Sequence, residues 1–210
     1  MKLYLYAFTD RPTAGAHGLW GEPLLGVPVG RFFAACGPTA DAPAVTATAL
    51  RGHDAAIRSL AGSCQSVLPV RFGQLVEGER ALREAVQPLA SEIEGALARV
   101  AGCEQMTVRL FGEEASSAPA ASGTEHLLRL RERTARRAAA LAPLRQTVAH
   151  LCVDERVEAG TGRLLLTVSH LVRRGRSRDY RAALEAAVPP AGITVSGPWA
   201  PYAFGPEVGL

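Results

Sequence analysis

A chain of 210 residues that is 48% hydrophobic and 20% charged is long enough to bury one large core or two smaller ones. Its formal charge of +3 is too slight by itself to mark a nucleic-acid binder, and no apolar run approaches the ~18 residues a membrane span needs. The opening residues 1–10 have too short an apolar stretch for a secretory signal, so the expectation is a cytoplasmic, reduced protein.

Lys2 is the only lysine, and the charge divides unevenly: ten basic against ten acidic side chains in residues 1–110, thirteen against ten in 111–210. Cys36, Cys64, Cys103 and Cys152 are scattered without a C-x-x-C spacing, which points to separate reduced thiols.

In chain order, Leu3-Tyr4-Leu5-Tyr6-Ala7-Phe8 is apolar throughout and reads as a central strand covered on both faces. Residues 9–26 have the glycines and prolines of a loop. The next run, 27–36, reads as two short strands or one strand broken near Gly30. A helix follows over about 44–61, with Leu50, His53, Ile57 and Leu60 on one face.

The stretch from Ser66 to Leu75 reads as a buried strand. Period two puts Leu68, Val70 and Phe72 on one side, with Pro69, Arg71 and Gly73 on the other. Pro69 has no N–H for a ladder, so this is an edge strand or Pro69 lies at its start. Arg71 calls for a carboxylate that locks the strand, or a ligand, if it is not to sit uncompensated.

A long helix then covers 78–100, with Glu79–Arg83 and Arg80–Glu84 pairs on its wet side and a kink or fresh start at Pro88. Residues 106–111 close this half as a strand. Two helices on one face of an antiparallel sheet give an α+β layer close to a ferredoxin-like layout with an added strand.

Residues 113–123, small and polar, read as a linker, dividing the chain into domains 1–112 and 124–210. The second domain starts with a helix from Thr124 to about Cys152, with a bend expected at Pro143 and with Leu127, Leu130, Ala138, Leu141, Leu144, Val148 and Leu151 on its apolar side. A strand at 163–172, a helix from Ser177 to Val188 and a strand at 193–196 follow, so this is again α+β, with a small sheet. In the tail, Trp199, Tyr202 and Phe204 read as core plugs closing the second domain, the alternative being an exposed partner patch.

No phosphate-binding glycine loop, nucleophile elbow or zinc motif is present, and the five histidines share no ligand spacing with one another or with a cysteine. No catalytic, cofactor or metal residue is therefore assigned. His53 reads as a satisfied core or boundary histidine. The helix face bearing Arg129, Arg131, Arg133, Arg136 and Arg137 is either solvated or a docking surface, with Arg129, Arg133, Arg136 and Arg137 as the partner-binding candidates. Together with a second basic run, 173–181, it makes a small-ligand- or RNA-binding ferredoxin-like plait the competing reading. Such sheets need alternating aromatics on a central strand, and the adjacent Phe32 and Phe33 point opposite ways.

Three segments together, Tyr-Leu-Tyr-Ala-Phe at 4–8, Val-Leu-Pro-Val-Arg-Phe-Gly at 67–73 and Gly-Pro-Trp-Ala-Pro-Tyr-Ala-Phe at 197–204, resemble the GvpF/GvpL family of gas vesicle proteins. Pro69, Arg71, Phe72, Gly73, Gly197, Pro198, Trp199, Tyr202 and Phe204 carry the match; Ala200 and Ala203 depart from the family's usual Pro and Ser, and 169–174 departs as well. The resemblance implies an N-terminal modified ferredoxin-like domain and a C-terminal α+β domain with a long helix. It also implies no catalysis and no cofactor. The implied partners are the shell protein GvpA and other gas vesicle accessory proteins, with neither nucleic acid nor membrane, and the implied location is cytoplasmic and vesicle-associated.

Overall fold

The structure is a computed structural model that describes residues 2–13, 15–112, 123–187 and 192–206, apart from the side chains of His126, Arg129 and Leu130. The chain forms two α+β units, one of residues 1–104 with 199–210 and one of residues 105–198.

In the first unit β1 (Lys2–Thr9) is buried from Leu3 to Thr9, as a strand apolar on both faces must be. β3 (Phe32–Thr39) flanks it with β2 (Leu25–Val29) outside, while β4 (Val67–Pro69) and β5 (Leu75–Val76) pair with its other edge, all antiparallel. β2 and β3 are two strands of one hairpin, turned at Gly30, whose φ of +58° favours a residue without Cβ.

α1 (Ala47–Ser63) is capped by Thr46, whose hydroxyl accepts the Ala49 N–H at 3.1 Å. It packs Ala56, Ile57 and Leu60 against Tyr4, Tyr6 and Ala35. His53, Ile57 and Leu60 are buried on the anticipated face, whereas Leu50 is left 44% exposed and Ala49 takes its place at the buried start of the stripe.

α2 (Glu79–Val86) and α3 (Ala90–Val100) are separated by a 3₁₀ turn at Gln87–Leu89 that contains Pro88, as the missing proline N–H requires. The two expected ion pairs form on α2, Arg83–Glu79 at 2.8 Å and Arg80–Glu84 at 2.9 Å. Glu94 of α3 accepts from the N–H of Arg31 at 3.3 Å, beside the turn of the β2–β3 hairpin.

The expected strand 66–75 is shorter than its apolar pattern. It pairs over Val67–Pro69, at the sheet edge as Pro69 demands, and again only from Leu75, where β5 begins. Beyond Pro69 the chain loops: Val70 N–H donates to Tyr6 C=O at 2.8 Å, Leu5 N–H to Gln74 C=O at 3.0 Å, and Gly73 turns at φ +95°. Arg71 therefore lies exposed in a loop rather than on a strand face.

The second unit runs β6 (Cys103–Phe111), α4 (Gly123–Val148), β7 (Cys152–Ala159), β8 (Leu164–Arg173), α5 (Ser177–Ala187) and β9 (Ile193–Trp199). This βαββαβ order with sheet order β7-β8-β6-β9 is the ferredoxin-like plait itself. β7 and β8 pair antiparallel, and β6 meets β9 through Phe111 N–H to Gly192 C=O at 2.7 Å. Met106, Val108, Leu166 and Val168 face Leu141, Leu144 and Val148 of α4 and Tyr180 and Leu184 of α5.

Two boundaries thus differ from the expected 1–112 and 124–210. β6 is a central strand of the second sheet instead of closing the first, since an alternating strand does not declare its partner. The tail does not close the second unit: Ala200 joins the cluster of Tyr4, Tyr6 and Ile57, and Phe204 is buried with the first unit. Residues 113–122 of the expected linker lie outside the described residues.

Candidate functional site

Among the described residues each unit carries one buried histidine, and the hydrogen bonds fix what each can do. On α1, His53 Nε2 lies 3.3 Å from Val70 C=O, which can only accept, so Nε2 carries the proton. Gly73 N–H donates to the Tyr4 hydroxyl oxygen at 3.1 Å, which leaves the Tyr4 proton for His53 Nδ1 at 3.0 Å. The chain Gly73 → Tyr4 → His53 → Val70 begins and ends on the loop after β4, pinning that loop to α1 and β1. Burial lowers the His53 pKa, keeping the ring neutral as this pattern requires.

In the second unit His170 of β8 accepts at Nδ1 from the Tyr180 hydroxyl (2.6 Å) and donates from Nε2 to Glu155 of β7 (2.9 Å). Arg145 of α4 holds the other side of Glu155 in a two-toothed pair, Nε to Oε1 at 2.9 Å. Burial pushes the Glu155 carboxyl up, but the hydrogen bonds from Arg145 and His170 outweigh it and hold it below the usual carboxylate range. Burial lowers His170 in spite of its carboxylate partner, and raises Tyr180. An acid–imidazole–hydroxyl array of this kind would activate a nucleophile if the hydroxyl were reachable. Here Tyr180 is 0% exposed and His170 1%, so the array joins α4, α5, β7 and β8 from within.

A third cluster orders the long loop after β1. Tyr6 donates to Glu22 at 2.6 Å and accepts the Leu19 N–H at 2.8 Å, and Glu22 takes the Trp20 N–H at 2.9 Å. Gly18 and Gly37 make room for this carboxylate, since a Cβ on either would lie within 2.4 Å of Glu22. The sequence gives no periodic sign of Glu22, Glu155 or Arg145: Glu22 stands in a loop, and Glu155 is the middle one of three successive charges at 154–156.

The arginine candidates separate. Arg137 is half-buried and donates to Leu165 C=O at 3.2 Å and Gly160 C=O at 2.9 Å, so it is a clip between α4 and the β7–β8 turn, not a free docking group. Arg133 is exposed, Arg136 is exposed with a long contact of 3.7 Å to Glu132, and the Arg129 side chain lies outside the described residues. Of the fingerprint residues, Gly197 sits at φ +115° before a cis Pro198, and its carbonyl accepts from Arg181. Burial, and after it the nearby Asp54 carboxylate of α1, raises the Tyr202 hydroxyl, and Trp199 is 40% exposed. Among the described residues no group of three His, Cys, Asp or Glu could hold a metal ion, and no helix is long and apolar enough to cross a membrane.

These features define a two-unit α+β protein whose histidine clusters tie its own elements together and whose α4 carries exposed arginines. The whole of this architecture has known relatives. Residues 2–206 match the family model described as gas vesicle synthesis protein GvpL/GvpF, and the chain belongs to that family. Gas vesicle protein L of Streptomyces sp. (strain CB03234) is 29% identical over 245 residues, covering 96% of this chain and 91% of that protein. The fold is that of two crystal structures of GvpF. The one from Microcystis aeruginosa has a TM-score of 0.75 at 15% identity, covering 97% of this chain and 98% of its own. The one from Anabaena sp. PCC7120 has a TM-score of 0.76 at 14% identity, covering 98% and 96%.

Proposed function

We propose that this chain is a non-enzymatic minor component and assembly factor of gas vesicles, cytoplasmic and vesicle-associated, that binds the shell protein GvpA and limits its aggregation while a vesicle nucleates. The observation that carries the reading is the family match across residues 2–206. A shell subunit with a gas-facing apolar surface would self-associate through exposed strands before assembly. A folded protein that covers such a surface for a time keeps the subunit available for growth. The interior use of His53, His170 and Tyr180 supports a role through surfaces and not through a reaction.

The competing RNA-binding plait is disfavoured by the second sheet. On the face opposite the helices β6 offers Gln105, Thr107, Arg109 and Phe111, and Gln105 donates to Thr107 at 3.0 Å instead of leaving a stacking platform. Co-expression of GvpA with and without this chain, followed by the soluble fraction of GvpA, tests the assembly role. The expected result is a rise in soluble GvpA; an unchanged fraction would overturn it.

A further inference from the structure

α4 is anchored over only half of its length. Leu141, Leu144 and Val148 are buried under the second sheet, and Arg137 clips the helix to the β7–β8 turn. Nearer its start the side chains open to solvent: Leu127 is 61% exposed, Leu128 53%, and Arg131, Glu132, Arg133 and Arg136 are all exposed. At ~1.5 Å per residue, the stretch from Thr124 to Arg136 is an arm of about 20 Å. Leu127 lies two heptads before Leu141, so it continues the stripe that is buried farther along. The apolar face therefore outruns the sheet that covers it.

Charge says what fits there. Residues 124–138 hold five arginines against two glutamates, a surplus of three that equals the net charge of the whole chain. A second copy would bring like charge against like charge. A nucleic acid would use the arginines and leave both leucines in water. An acidic amphipathic helix satisfies both parts at once, its apolar stripe on Leu127 and Leu128 and its carboxylates on Arg131, Arg133 and Arg136. The Arg136–Glu132 contact is exposed and long, so a better carboxylate displaces it at little cost. We propose that the first half of α4 is a docking arm for an acidic amphipathic helix on a partner protein. The proposal rests on the assembly reading only in taking that partner to be a gas vesicle protein.

The test titrates the full-length chain into a labelled helical peptide with a leucine stripe and glutamates on its other face, read by fluorescence anisotropy. A glutamate–serine peptide of equal length and a single-stranded RNA serve as comparators. The leucine–glutamate peptide is expected to bind, and both L127Q/L128Q and R131E/R133E/R136E should weaken it by about tenfold or more. Glutamine retains helix propensity, and circular dichroism verifies that both variants keep the wild-type helix content. Equal binding by either variant would overturn the arm, as would equally tight binding of RNA or of the leucine-free peptide. The GvpA solubility assay with the wild-type chain reads the assembly role separately. A failed titration removes the arm and leaves that role standing, and failed solubilisation does the reverse.

Discussion

The Tyr4–His53–Val70 chain and the Tyr180–His170–Glu155 chain share one chemical demand: each imidazole must stay neutral, with one nitrogen donating and the other accepting. His53→Ala strands the Val70 carbonyl in a buried site and opens a hole beside Tyr4 and Tyr6, at a cost of roughly 2–4 kcal/mol. Urea unfolding at pH 7.5 measures it. The same demand fixes a pH dependence. Both histidines have folded pKa values below the ordinary 6.5, so the unfolded chain takes up protons first as pH falls. Their contribution to stability is full above about 6.5 and is lost below it. Glu155, lowered from 4.5, loses its own contribution only in more acid solution, because its stabilised form is the carboxylate. The urea midpoint should therefore fall between pH 7.5 and 5.5 in the wild type. A chain carrying His53→Gln and His170→Gln should show a nearly flat midpoint over that window, and a fall as steep as the wild type's would refute the assignment.

Elements show where a pattern in sequence stops being informative. β1, the β2–β3 hairpin, the break at Pro88 and the strands β8 and β9 were legible because burial on a regular period, or a residue with one backbone habit, marks each of them. β7 was not. Its sequence Cys-Val-Asp-Glu-Arg-Val-Glu-Ala is charged on an exposed edge, and its pairing with β8, not its own hydrophobicity, makes it a strand. The histidine clusters were legible only in part: the apolar stripe of its helix marks His53 as a satisfied core or boundary residue, whereas Tyr180 and Glu155 come together through tertiary pairing alone. The arginines of α4 looked alike in sequence for the same reason. The fold distinguishes them, and stability should follow the fold. Arg137→Ala removes two charge-assisted bonds to carbonyls of the β7–β8 hairpin and should cost about 1–3 kcal/mol. Arg133→Ala, on the exposed arm, should stay within about 0.5 kcal/mol of wild type. Thermal melts of the two variants side by side decide it, and equal losses would mean that the clip contributes nothing.

At the scale of the molecule, the chain leaves the first unit after residue 104, completes the plait, and returns to the first unit at Trp199. The linker-like composition of 113–123 suggests a cut there, but that cut separates β6 from β8 and β9, the two strands that flank it. A fragment of residues 124–210 then keeps three strands of four, lacks the Met106, Val108 and Leu110 side chains that meet Leu144 and Val168, and carries the tail whose Ala200 belongs in the other unit's core. A sheet without its central strand exposes two unpaired edges and half of its apolar face. We infer that the folding unit is residues 105–198. This fragment should unfold cooperatively in urea and give a dispersed amide spectrum. Residues 124–210 should show neither property under the same conditions. Should 124–210 fold and 105–198 fail, the assignment of β6 to the second sheet falls, and with it the plait on which the α4 arm is mounted.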